Sequence, residues 1–123
     1  LRSLSPDEAG YVGYYNDDNK SHASTYHQGK VWAWLIGPFI SAHLRVYGDI
    51  QKAKEFLEPF FDHLHARGIG TISDIFDGEA PYTSRGCIAQ AWSVGEVLRV
   101  CKEIDDLQYI PANTMVTSTS DPV

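Results

Sequence analysis

The apolar residues of this chain recur at helical spacing, and that spacing constrains the fold more than any other feature. Trp32, Leu35, Ile36, Phe39, Ile40, His43 and Val46 follow the i, i+3, i+4, i+7 order of one helix face. The pattern predicts a helix over about residues 31–47, interrupted at Pro38, which lacks a donor N–H and crowds the preceding turn. Gly48 supplies its stop and Asp49 the cap of the next helix. A second stripe, Ala53, Phe56, Leu57, Phe60 and Leu64, predicts a helix over about residues 50–66, bent at Pro59 and ended by Arg67-Gly68. A third, Ile88, Ala91, Trp92, Gly95, Leu98 and Cys101, predicts one over about residues 86–105. The expectation is an all-α architecture whose three helices do not obviously close a core of their own.

With 123 residues, 43% of them hydrophobic, the chain has material for one modest core. A formal charge of -6 argues against a nucleic-acid backbone or an anionic membrane as partner and leaves neutral ligands open. Cys87 and Cys101, fourteen apart on the third predicted helix, are too far apart for a disulfide and read as reduced packing residues. That usage implies a cytoplasmic protein. No apolar run approaches the ~20 residues of a membrane span, and the chain opens with Leu1, which suggests a piece of something longer. Residues 1–25 read as a long irregular loop in which Tyr11, Tyr14 and Tyr15 either face a ligand or cover the helices. The expected organisation is a helical segment over residues 1–106 and a polar, loosely held tail over residues 107–123.

The stretch from Gly70 to Leu98 carries the strongest chemical signal. Read as extended chain, Ile72, Asp74 and Phe76 share one face, which places a carboxylate beside two large apolar side chains. An unpaired buried charge is costly, so such a residue is either paired or held for a purpose. The Asp77-Gly78 turn follows, then Pro81, then the start of the third predicted helix, whose positive end favours an ionised carboxylate. The plainer alternative is a loop acid capping a turn or pairing with Arg85. Asp77 and Glu79 are weaker candidates, being ordinary turn chemistry in a polar run. His63 and His65 stand i, i+2 on a helix, where their rings diverge, so no metal is expected.

Three blocks, LRSLSP, YHQGKVWAWLIGPF and GTISDIFDGEAPYTSRGCIAQAWSVGEVLR, taken in that order closely resemble the C-terminal end of the glycogen debranching enzyme family of bacteria and archaea. The resemblance, from Leu1 to about Val100, is to the amylo-α-1,6-glucosidase catalytic module. It implies an (α/α)6 barrel of which this chain supplies the last helices. It further implies an inverting glycosidase that releases glucose from α-1,6 branch points, with Asp74 at the general-base position and the general acid upstream, in sequence this chain does not contain. By the same transfer His27 and Gln28 hydrogen-bond sugar hydroxyls, and Trp32, Trp34 and Trp92 offer ring faces, though Trp32 and Trp92 read equally well as packing residues. The implied ligand is a branched α-glucan or malto-oligosaccharide, with no cofactor, and the implied partner is the N-terminal part of the same chain.

This sequence departs from the pattern it resembles, which has Glu where Asp74 stands, Thr where Lys30 stands, Pro where Ala33 stands and commonly Arg-Asp where residues 22–24 run. Asp is one methylene shorter than Glu, so Asp74→Glu is expected to raise turnover or leave it unchanged. Two alternatives from other classes are a detached, non-catalytic oligosaccharide-binding module and a helical remnant that associates through exposed apolar faces.

Overall fold

The computed structural model describes residues 1–15 and 25–109. Asp17, Asp18, residues 22–24 and the tail beyond Tyr109 lie outside the described residues. The chain is mostly helical, but a small antiparallel sheet organises it, which corrects the all-α expectation. Its strands are β1 (Val31–Trp32), β2 (Ile75–Phe76) and β3 (Ser84–Arg85), in that spatial order. Val31 pairs with Phe76 and Trp32 with Ile75; on the other side Ile75 pairs with Arg85 and Phe76 with Ser84. Helical periodicity hid β1, which falls inside the predicted 31–47 helix; β2 lies in the stretch read as extended chain, and β3 just precedes the predicted third helix.

The first helix shows why. Trp32 donates its N–H to Leu1 O (3.3 Å) and Ala33 donates to Asp74 O (3.2 Å), so these backbone groups are spent on other segments. A 3-10 turn over Ala33–Leu35 follows, and helix α1 (Ile36–Tyr47) starts five residues later than the stripe predicts. Pro38 therefore falls in its first turn, where an N–H has no intrahelical acceptor, and no kink is needed. Gly48, in the left-handed region at φ +64°, closes the helix through its N–H to Leu44 O.

Asp49 caps α2 (Ile50–Glu55) by accepting from Lys52 N. Pro59 cannot donate to Glu55, so the predicted second helix breaks into α2 and α3 (Glu58–His63). Helix α4 (Ala91–Gln108) begins five residues beyond the expected start and runs to Gln108. Residues 86–90 instead pair with the segment before β2: Asp74 N–H donates to Cys87 O (2.9 Å) and Gln90 N–H to Ile72 O (3.0 Å). Cys87 consequently stands outside the helix, exposed, and both cysteines are free.

Ile36, Ile40 and Leu44 of α1, Ala53 and Leu57, Ile72, and Val97, Val100 and Ile104 of α4 form the core. On α4 this is a different face from the predicted one. Ser93, Val97, Val100 and Ile104 turn inward, while Ile88, Trp92 and Leu98 are exposed, Leu98 at 64%. The helix carries two apolar faces, and periodicity alone cannot choose between them. Among the described residues no helix is long and apolar enough to cross a membrane.

Candidate active site

Segments 1–15, 25–34 and 71–90 meet around β2, and Asp74 sits at the bend just before it. Its carbonyl accepts from Ala33 on one side and its N–H donates to Cys87 on the other, so the backbone is held from both flanks. The residue is 8% exposed. The indole Nε1 of Trp92 donates to its Oδ1 at 3.4 Å. Gly86, at φ +65°, forms the wall beside the other oxygen: a Cβ there would stand 3.5 Å from both Cβ and Oδ2 of Asp74. Burial, with a contribution from the Asp74 charge, raises the Tyr26 phenol above its ordinary value and keeps it protonated.

The expected sharing of a face between Asp74 and Phe76 does not hold. Phe76 packs edge-on against the His63 ring (4.9 Å, 73°) and lines a separate apolar pocket of about 380 Å³ with Phe60 and Tyr82. Residues 71–74 precede the ladder, so its strict alternation does not reach Asp74. Nor does Arg85 pair with Asp74. Its Nε (3.2 Å) and Nη2 (3.0 Å) reach Asp77 Oδ2, and Tyr15 N–H donates to Asp77 Oδ1 at 2.8 Å. Asp77, 1% exposed, is thus a paired internal anchor rather than plain turn chemistry. Arg85, whose neighbour on β2 is Ile75, was the available signal, since β3 brings it back alongside the Asp-Gly turn.

Beside this pair Lys30 is 2% exposed and its Nζ donates to Thr25 O at 2.9 Å. Burial lowers its pKa, and the Asp77 charge partly offsets that. Glu79 accepts from the Tyr11 hydroxyl at 2.6 Å. The Lys30 bond closes the loop of residues 25–30 on itself, and the Tyr11–Glu79 bond ties segment 1–15 to the turn after β2.

A cleft of about 480 Å³ opens beside Asp74. His27, Trp32, Trp34 and Trp92 line it, together with Ser3, Leu35 and Glu96. His27 stacks on Trp32 (5.2 Å, 18°), and Tyr26 meets Trp32 edge-on at 4.7 Å. Trp32 is buried, whereas Trp92 is 57% exposed and is not a core residue. Asp74 does not line the cleft; Trp92, which does, connects the two. Gln28 stands apart. Its backbone bonds Thr25 O (3.1 Å) and Val12 N–H (2.6 Å), and its side-chain oxygen is turned toward Gly10.

Sequence reasoning missed Ser3, Tyr26 and Glu96. Glu96 is ion-paired with Arg99 (2.8 Å), and its carboxylate fills space that only a glycine at position 37 leaves free. His63 accepts from Ser73 N–H at 3.2 Å, with Ser73 Oγ also 3.2 Å from the same Nε2. It is a buried structural ring. Among the described residues no group of three or more His, Cys, Asp or Glu side chains gathers as a metal site.

Residues 1–99 match the family model described as Amylo-alpha-1,6-glucosidase. The chain belongs to the amylo-alpha-1,6-glucosidase family. Its resemblance to the C-terminal region of glycogen debranching enzymes rests on that match. The matched range holds every lining residue of the cleft, the Asp74 bend and the Asp77–Arg85 pair. No solved structure matches the chain. In this amylo-alpha-1,6-glucosidase relative, then, a buried carboxylate is joined through Trp92 to an aromatic cleft whose volume is ordinary for a small-molecule pocket.

Proposed function

We propose that the chain is the C-terminal part of an inverting glycoside hydrolase that releases glucose from α-1,6 branch points of glycogen-type glucans. Asp74 is its general base: the carboxylate takes a proton from the water that attacks the anomeric carbon. Inversion requires the partner acid roughly 6.5 to 9.5 Å away, leaving room for that water. That acid belongs to the rest of the longer protein. The observation that carries the reading is the hydrogen bond joining Asp74 to Trp92 at the wall of the cleft. Trp32, Trp34 and Trp92 present ring faces to sugar C–H groups, and His27 presents a ring nitrogen to a hydroxyl. Gln28 acts from the loop that holds His27.

The helices described are, in this reading, the last of an (α/α)6 barrel. The exposed apolar side chains of Ile88, just before α4, and of Trp92 and Leu98 on it support the reading, since other helices of a barrel cover such side chains. The reading places the protein in the cytoplasm, where glycogen-type glucans are degraded. Its test is Asp74→Asn in the intact native polypeptide. Glucose release from a branched dextrin should fall ~10³-fold or more while folding is unchanged, and wild-type product should appear first as the β-anomer by NMR. Full activity in Asp74→Asn, or α-glucose as first product, overturns it.

A second reading, a non-catalytic oligosaccharide-binding module, is favoured by one observation. The cleft's own carboxylate, Glu96, is tied up by Arg99, and the cleft is otherwise aromatic. Saturable quenching of Trp fluorescence by malto-oligosaccharide, without hydrolysis by the intact polypeptide, would select it.

A further inference from the structure

Trp92 belongs to the cleft wall, yet its indole N–H is turned inward to the carboxylate. We propose that Trp92 is a positioning residue for Asp74: its N–H, donated to Oδ1, fixes the direction in which the carboxylate points from behind the cleft wall. The proposal rests on the reading of Asp74 as the base. Among the described residues this is the one side-chain hydrogen bond that the carboxylate receives.

The frame around it is rigid. Gln90, immediately before α4, donates to Ile72 O (3.0 Å), and Asp74 donates to Cys87 O (2.9 Å). The two backbone bonds tie the first turn of α4, which carries Trp92, to the bend that carries Asp74. Donor and acceptor therefore hang from one short, doubly bonded pair of segments, and neither can drift without the other. On the opposite side of the carboxylate Gly86 contributes no side chain, and Ile75 brings only an apolar methyl near that point. A methyl offers no hydrogen bond, so among the described residues the indole N–H is the group that sets the direction of the carboxylate.

Burial argues the same way. Trp92 is more than half exposed, so its ring is not a core component, and changing it removes little packing. A ring that served only as a sugar platform would govern substrate affinity. A ring that also aims the base governs turnover as well, because the hydrogen bond acts on the group that reacts.

Trp92→Phe keeps a ring on the cleft wall and deletes the N–H. In the intact native polypeptide hydrolysing a branched dextrin, it should lower kcat about tenfold, the low end for a hydrogen bond to a charged group, with KM within about twofold of wild type. Trp92→Ala should lower kcat similarly and raise KM, since the platform is lost too. With ¹⁵N-labelled indoles, Asp74→Ala should move the Trp92 N–H resonance and leave those of Trp32 and Trp34 in place. A Trp92→Phe enzyme with unchanged kcat, or an unmoved Trp92 resonance, overturns the positioning role. If that happens while Asp74→Asn is inactive, the base assignment stands and only the positioning role falls. An active Asp74→Asn enzyme sinks the base assignment itself.

Discussion

Asp74→Glu tests whether the reach of the carboxylate limits this site. The Trp92 Nε1 to Asp74 Oδ1 distance is 3.4 Å. A charge-assisted N–H···O bond is ordinarily about 2.7–2.9 Å, so the carboxylate stops roughly half an ångström short of its donor. One more methylene adds about 1.5 Å of bond and, spread over a bent side chain, closes that gap. On the Oδ2 side, Gly86 contributes no Cβ to oppose it. Misplacement of a reacting group by ~1 Å costs ~10²-fold, so correcting half of that corresponds to about a tenfold rise in kcat. The assay is initial-rate glucose release from a branched dextrin by the intact native polypeptide, with KM expected to stay within about twofold. A tenfold loss of kcat in a normally folded Asp74→Glu enzyme would refute the geometric argument and show the site to be built around the shorter acid.

Other consequences concern the frame. Among the described residues, Arg85→Ala leaves buried Asp77 with the Tyr15 amide and nearby Lys30 for compensation, and since Arg85 is partly exposed the expected cost is about 2–3 kcal/mol; an unchanged urea midpoint would show that the pair contributes nothing net. Gly78→Ala drives a Cβ into the Gly29 carbonyl oxygen and to 2.8 Å from the Tyr11 hydroxyl, and should cost about 3 kcal/mol and abolish oligosaccharide quenching of Trp fluorescence. His63 gives a pH signature. Burial, then Arg67, lowers its pKa below the ordinary value of 6.5. The unfolded chain therefore takes up this proton first. The stability contributed by the neutral ring is full above pH 6.5 and is lost as pH falls from there through the lowered folded value. Urea midpoints measured from pH 7.5 down to pH 5 should drop less steeply in His63→Gln than in wild type; parallel profiles would exclude the role.

Helical runs were legible in the sequence because their signals are local. The cap at Asp49 and the stop at Gly48 appear where residue type demands them. The start of α4 was not legible, since residues 86–90 look helical and are drawn off by Ile72 and Asp74, a pairing across more than a dozen residues. The same holds for β1 and the residue after it: the Trp32 amide bonds Leu1 and the Ala33 amide bonds Asp74. The inward face of α4 was misread because Trp92 and Leu98 outweigh Ser93 and Val97 in hydrophobicity but not in position. At the site, Asp74 stood out as a carboxylate in apolar company. Asp77 did not, because its Asp-Gly context offered a sufficient local explanation, and only the return of β3 reveals Arg85 as its partner.

Where the three segments cross, side chains are absent by necessity. Gly78 donates to Gly13 O (2.6 Å), and its Cα faces the Gly29 carbonyl. Gly29, at φ +123°, lies against the Tyr11 ring, so that a Cβ there would overlap the ring. Arg2 Nε reaches Gly78 O (2.7 Å), and Ser3 Oγ accepts from Gly29 N–H (3.0 Å). Backbone from residues 1–15, 25–34 and 71–90 thus packs on backbone around one tyrosine. Such contacts carry no freedom to swing, unlike a cluster of long side chains. The junction fixes the His27 loop relative to the strand that follows Asp74, and so the cleft relative to its carboxylate. Nothing in hydrophobic periodicity reports such a crossing. Its trace in the sequence is three glycines, each unremarkable alone, whose meaning appears only when the chain is closed.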